Sequence, residues 1–224
     1  ADSLSSVSLR ADTGGGIGSE DTISLSAAAS GDVLVISGAN AATYNLSNTS
    51  GLDSIAISSS AGSTRVLTLT GLGADSMSAL AITAADTSSV LNVSIASANT
   101  VTFTVTGNTG ADTVVATRGA LSLDLGAGVD SVVAGTATDR INVAGTNAAD
   151  STDGNYVVGG GGHDIITGGG GNDTIFVGAS GATVSSASQV TAGAGADSVY
   201  VYDAMGTDTI NLGSGNDSLT VAAD

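Results

Sequence analysis

Two nine-residue units run head to tail at residues 159–176: Gly159-Gly160-Gly161-Gly162-His163-Asp164-Ile165-Ile166-Thr167, then Gly168-Gly169-Gly170-Gly171-Asn172-Asp173-Thr174-Ile175-Phe176. Both fit the pattern G-G-x-G-x-D-x-U-x, where U is a large apolar residue. The chemistry such a unit offers is ligation of a hard cation. Glycines let the backbone turn tightly and expose its carbonyl oxygens, and the aspartate adds a charged oxygen. Calcium takes about 6–8 oxygen ligands, so carbonyls and carboxylates from adjacent turns can share one ion. The apolar U residue then faces inward from a short strand.

Other chemistries find little here. His163 is the one histidine and sits at the variable fifth place of its unit, where it reads as a solvent-facing loop residue. No Ser-His-Asp set can be built around it, and no two carboxylates stand out as an acid/base pair. The run Gly14-Gly15-Gly16-Ile17-Gly18 is followed by no lysine and opens no helix, so it reads as a turn and not as a phosphate loop. The absence of cysteine removes disulfides and thiolate-bound zinc. No catalytic site is expected.

Composition agrees with a cation-binding role. Of 21 acidic residues, 20 are Asp and one, Glu20, is Glu, while Arg10, Arg65, Arg118 and Arg140 are the only basic residues; the net charge is 4 − 21 = −17. A generally acidic surface would mix Asp and Glu. A bias this strong places the carboxylate close to the backbone, as turns and calcium loops require. Hydrophobic content of 42% argues against a disordered acidic chain. Without a basic patch, nucleic acid is an unsuitable partner, and no apolar run reaches the roughly 20 residues of a membrane span. No signal peptide is evident at Ala1-Asp2-Ser3-Leu4, and the chain reads as a piece of a longer protein.

The elements that must position these groups are short strands. A leading residue, usually polar, is followed by apolar residues two and four places on. Asp21, Asp32, Ala42, Asp53, Arg65 and Asp75 lead in the N-terminal half, 10 to 12 residues apart, and Asp86 follows with Leu91, Val93 and Ile95 displaced behind it. Asn99, Asp112, Asp130, Asp139, Asn155, Asp164, Asp173, Asp197, Asp208 and Asp217 lead in the C-terminal half, with steps as short as 9. Such alternation indicates strand. The expected fold is all-β, a parallel β-solenoid or β-roll with two short strands per 18–22-residue turn and calcium-binding turns. An antiparallel sandwich also uses short, evenly spaced strands, but it would not keep Asp at one phase of every unit. One continuous solenoid is expected over 1–224, less regular over 1–106 and richest in the repeat over 107–224. Ser76–Ala84 loses strict alternation, so 76–90 is the expected place for a short helical excursion.

Residues one full turn apart should stack. Asp32, Asp53 and Asp75 are then expected in one column, with Asp21, Ala42, Arg65 and Asp86 in the other. Asp32 and Asp53, where glycines are sparse, read better as metal-free Asx-turns. Asp112 should stack on Asp130, Asn155 on Asp173 and Asp197 on Asp217, with Asp164 and Asp208 on the opposite edge. Carboxylates about 5 Å apart repel by about 3 kcal/mol at an effective dielectric near 20, and by under about 1 kcal/mol in water. A divalent ion reverses that sign, so folding and calcium binding should be linked.

These residues resemble the RTX (repeats-in-toxin) superfamily. The close match is 159–176; Gly107–Val115, Leu125–Val133, Ala192–Tyr200 and Leu212–Thr220 are partial matches. The resemblance implies calcium bound by Asp130, Asp164, Asp173, Asp197 and Asp217, with Gly126, Gly128, Gly160, Gly162, Gly169, Gly171, Gly193, Gly195, Gly213 and Gly215 as turn residues. Asp112, Asp139 and Asp208 join them as candidate ligands; the Asp112 unit has Asn108 for its second glycine, and the Asp139 unit keeps only Gly135. Lys-free, Cys-free repeats rich in Ala, Ser, Thr, Gly and Val look most like bacterial surface-layer proteins secreted by the type I route. That likeness implies an extracellular, cell-surface structural protein that self-associates into sheets or filaments, with surface polysaccharide as a further partner. The alternatives are an extender or ligand-binding region of a giant adhesin, and the non-catalytic calcium roll of a secreted enzyme.

Overall fold

The structure, a computed structural model, describes the strands within residues 6–95 and residues 102–222 except 118, 146–152, 180–186 and 203–205. The described residues form nineteen strands and no helix. Ten make one sheet: β1 (Ser6–Arg10), β2 (Val33–Ser37), β4 (Ser54–Ser58), β6 (Ala79–Ala84), β8 (Thr102–Asn108), β10 (Ala120–Gly126), β12 (Arg140–Asn142), β14 (Ile165–Gly170), β16 (Gln189–Ala194) and β18 (Thr209–Ser214), in that order. The other nine make the second: β3 (Ala42–Asn45), β5 (Val66–Leu72), β7 (Val90–Ile95), β9 (Thr113–Ala116), β11 (Ser131–Val133), β13 (Tyr156–Val158), β15 (Thr174–Val177), β17 (Ser198–Val201) and β19 (Ser218–Val221). Each strand pairs in parallel with its neighbour in the sheet. From β2 onward the chain alternates between sheets, so it winds as a two-sheet parallel solenoid.

Apolar side chains two residues apart set the register. Val114, Val132, Val157, Ile175, Val199 and Leu219 stack in one column. Val105, Leu123, Ile141, Ile166, Val190 and Ile210 form a column in the other sheet. Most of these side chains are buried and belong to a single core. Slipping one residue would turn every Val and Ile outward, which is why the apolar pattern specifies the pairing so strongly.

Turn length varies more than the 18–22 residues expected. Val114 lies 18 residues before its partner Val132, whereas Val132 lies 25 before Val157 and Ile175 lies 24 before Val199. The extra residues of these two steps lie between Val143 and Asn155 and between Gly178 and Ser188; the compact turns, such as Gly168–Asp173, take six residues.

Three expectations need correction. The 76–90 region contains no helical excursion among its described residues: Ala79–Ala84 is strand β6 and β7 begins at Val90. In the sequence, alanine at 79 and 81 hides the alternation of Leu80 and Ile82, because the residues between them are apolar too. Ile55 pairs with Ile82, 27 residues on, and not with Met77, so an Asp53–Asp75 step of 22 does not match the register of β4 and β6. Tyr44 pairs with Leu69 and not with Leu67, two residues out of the expected phase but on the same face. Asp21, Asp32, Asp53, Asp75, Asp86, Arg65 and the Gly14–Gly18 run lie outside the described residues.

Candidate metal centre

The residue before each of the later strands shares the inward phase of the apolar residue two places on. Register therefore stacks these residues along the two rims where the chain passes between sheets. One rim carries Asp112, Asp130, Asn155, Asp173, Asp197 and Asp217, each just before a paired strand start. The opposite rim carries Asp139, Asp164, Ser188 and Asp208. All eight candidate aspartates thus fall into two columns. Asp112, Asp130, Asp139, Asp164, Asp173 and Asp197 are buried; Asp208 and Asp217 are partly exposed.

One oxygen of each carboxylate has a structural task. On the first rim the Asp112 N–H donates to Asp130 Oδ1 (2.8 Å), the Asn155 N–H to Asp173 Oδ1 (2.8 Å), the Asp173 N–H to Asp197 Oδ1 (2.9 Å) and the Asp197 N–H to Asp217 Oδ1 (3.1 Å). Asn155 Oδ1 takes the same part, accepting from the Asp130 N–H at 2.8 Å. On the second rim Leu121 N–H donates to Asp139 Oδ1 (2.8 Å), Asp139 N–H to Asp164 Oδ1 (3.0 Å) and Ser188 N–H to Asp208 Oδ1 (2.8 Å). Each inward side chain thereby ties its turn to the one before it.

The second oxygen is different. Oδ2 of Asp130, Asp139, Asp164, Asp173 and Asp197 is buried with no hydrogen-bond partner. An unsatisfied buried charge is costly, and further oxygens crowd close to it. At Gly168, Asp173 Oδ2 and the Ala192 carbonyl oxygen each lie 2.5 Å from where a β-carbon would sit. Gly107 is approached in the same way by Asp112 Oδ2 and the Leu125 carbonyl. The ten turn glycines named from sequence all have positive φ, from 81° at Gly160 to 145° at Gly195. The Gly171 carbonyl occupies the space a β-carbon of residue 195 would need, and the Gly195 carbonyl that of residue 215, so a side chain at either position would strike backbone. Glycine is required there both for the φ and for the close stacking of carbonyl-lined turns.

Burial pushes the carboxyls towards their neutral form. Asp130 is raised to about 8, against a hydrogen bond from Asp112 that lowers it, with the charges of Asp112 and Asp153 adding to the rise. Asp164 and Asp173 rise to about 7 and Asp139 to about 6, each chiefly through desolvation. Asp197 also rises, from burial first and then from the Asp217 charge. The rims thus call for protons or for a cation. Among the described residues no three His, Cys, Asp or Glu side chains gather at one point. A cation on either rim would therefore need backbone carbonyls as well as carboxylates, which suits calcium and not zinc.

A family model described as the RTX calcium-binding nonapeptide repeat, in four copies, matches residues 106–141, 150–181 and 187–219. Motif and fold agree. The chain belongs to the RTX β-roll superfamily. Searches among curated proteins and among solved structures found no match. In this RTX roll the buried aspartates, with carbonyls of the glycine turns, are the groups that fit calcium; when bound, the ion supplies the positive charge that the donor-free Oδ2 atoms lack.

Sequence reasoning placed the aspartates but missed the backbone ladder to Oδ1, because a hydrogen bond between residues 18 to 25 apart leaves no local signal. It also gave no part to Asn155 beyond replacing Asp, and none to Ser188. His163 is exposed, as expected, and its Nδ1 accepts the Ala187 N–H at 3.1 Å.

Proposed function

We propose that this chain is a calcium-stabilised structural segment of a bacterial cell surface, a part of a surface layer or filament that assembles with copies of itself and has no catalysis of its own. The observation that carries this reading is the pair of rims with buried, donor-free carboxylate oxygens. They make the rigidity of the roll conditional on a dication, which suits a chain that stays loose where calcium is scarce and stiffens outside the cell. Secretion is common among proteins with these repeats, and no helix among the described residues is long and apolar enough to cross a membrane. The Asp-rich, Lys-free and Cys-free composition supports an extracellular role braced by ions instead of cross-links. The test is electron microscopy with light scattering of the purified chain. Ordered sheets or fibres that form in calcium and dissolve in chelator are expected; a monodisperse solution at high concentration in calcium overturns the assembly role.

A second reading, a ligand-binding region of an adhesin, has one observation in its favour. Thr83, Thr106, Asp124, Asn142, Thr167, Thr191 and Asn211 stack in register on the outer face of the first sheet. None of these side chains is buried. Such a flat, hydroxyl- and amide-bearing strip suits a regular polar surface such as a polysaccharide. Saturable glycan binding without self-assembly would favour it over the first reading.

A further inference from the structure

Two of the longer connections between strands end on a neutral residue where neighbouring coils have Asp: Asn155 stands just before β13 and Ser188 just before β16. Asn155 keeps the structural half of the aspartate's work, since its Oδ1 accepts from Asp130 N–H and its own N–H donates to Asp173 Oδ1. Its other half is inverted. Nδ2 donates to the Val143 carbonyl at 3.4 Å and to the Gly168 carbonyl at 3.3 Å. Register makes these the carbonyls of its own turn and of the next, as Gly168 and Ala192 are for Asp173. At Asp173 a bare carboxylate oxygen and the next turn's carbonyl converge; at Asn155 an amide nitrogen fills the equivalent place and satisfies both carbonyls. On the opposite rim Ser188 is neutral in another way: its hydroxyl accepts from Asp164 N–H at 3.1 Å and donates to the Gly162 carbonyl of the preceding turn at 3.5 Å.

We propose that the Asn155 amide stands in for calcium, so that its turn closes without metal and splits the first rim into two separately loaded blocks, Asp112–Asp130 and Asp173–Asp217. Ser188 divides the second rim between Asp164 and Asp208. The inference rests on the reading that the aspartate turns take calcium. An amide donates two N–H bonds where a carboxylate only accepts, so a single Asn/Asp exchange should switch a turn between metal-free and metal-requiring.

The experiment counts calcium bound per folded chain by equilibrium dialysis, with circular dichroism reporting the calcium midpoint for folding. Asn155→Asp rebuilds a donor-free oxygen cluster against Val143 and Gly168; it is expected to bind one more ion than the native chain and to need more calcium to fold. Asp173→Asn is expected to bind one fewer and still fold. If Asn155→Asp does not fold, the reciprocal variant decides. A native chain that binds calcium, with Asp173→Asn and every folded Asn155→Asp sample binding the native number, overturns the substitution of amide for ion. A native chain that binds none overturns the underlying calcium reading instead.

Discussion

Stripping calcium from the roll should make its stability depend on pH in the direction opposite to that of most acidic proteins. The carboxyls of Asp130, Asp164, Asp173 and Asp139 titrate near 8, 7, 7 and 6 in the fold, against 3.8 when exposed. The folded chain therefore holds more protons than the unfolded chain across that interval, and stability falls as pH rises. Their contribution is fully present below about pH 4 and is lost progressively from there up to the folded values, with all four groups contributing between about 4 and 6 and the last of it gone near pH 8. At about 1.4 kcal/mol per pH unit each group accounts for on the order of 3 to 6 kcal/mol. Coupled groups do not add in full, but two such contributions are already comparable to the roughly 5–15 kcal/mol that holds a typical domain folded. The assay is far-ultraviolet circular dichroism in excess chelator from about pH 4 to about pH 9, repeated in millimolar calcium. Strand signal should be strongest in acid, fade towards pH 8 in chelator and persist there in calcium. Calorimetry near pH 7 should also show protons released as calcium binds. A calcium-depleted chain that is equally ordered at both ends of the range, or better ordered in alkali, would refute the claim that the rims are electrostatically frustrated.

Gly195→Ala places a β-carbon against the Gly171 carbonyl at a φ of 145°, so it should cost about 2 kcal/mol or more even in saturating calcium, read by chemical denaturation. Phe103→Ala empties a buried site in the first sheet and should cost about 3–5 kcal/mol without changing the number of bound ions. Asp164→Ala leaves the Asp139 N–H without its acceptor and removes a carboxylate from the second rim; a lower melting temperature in calcium, with faster hydrogen exchange at the Asp139 amide, is expected. Phe176 stacks on Tyr200 with ring centroids 4.8 Å apart and meets Tyr156 at 5.5 Å; Phe176→Ala should cost about 1 kcal/mol and leave calcium affinity unchanged.

Much of this architecture is written locally. Asp173, Ile175 and Val177 lie at every second position because a strand alternates its faces, and the carboxylate needs the same inward phase as the core. The glycine positions were legible for a similar reason, since only Gly adopts the left-handed turn at low cost. What the sequence hid is non-local. The turns ending at Asn155 and Ser188 change length with no effect on pairing, so counting residues misjudges which turns stack. Leu80 and Ile82 were overlooked because Ala79 and Ala81 between them are apolar too, and the Ile55–Ile82 register is recovered only by pairing. The donor at Asn155 differs from an acceptor by one atom, and its meaning appears only once Val143 and Gly168 are brought to it.

The same Oδ1 hydrogen bond spans 18 residues between Asp112 and Asp130, 20 between Asp197 and Asp217, 24 between Asp173 and Asp197 and 25 between Asp139 and Asp164. The bond registers only the phase of its two partners, never how much chain was looped out between them. A coil is therefore an exchangeable cassette. Duplication or excision of one whole coil restores identical joints on either side, and a surface loop can lengthen without disturbing the stack. Genes encoding such chains can grow or shrink by recombination between like coils while each product still closes correctly.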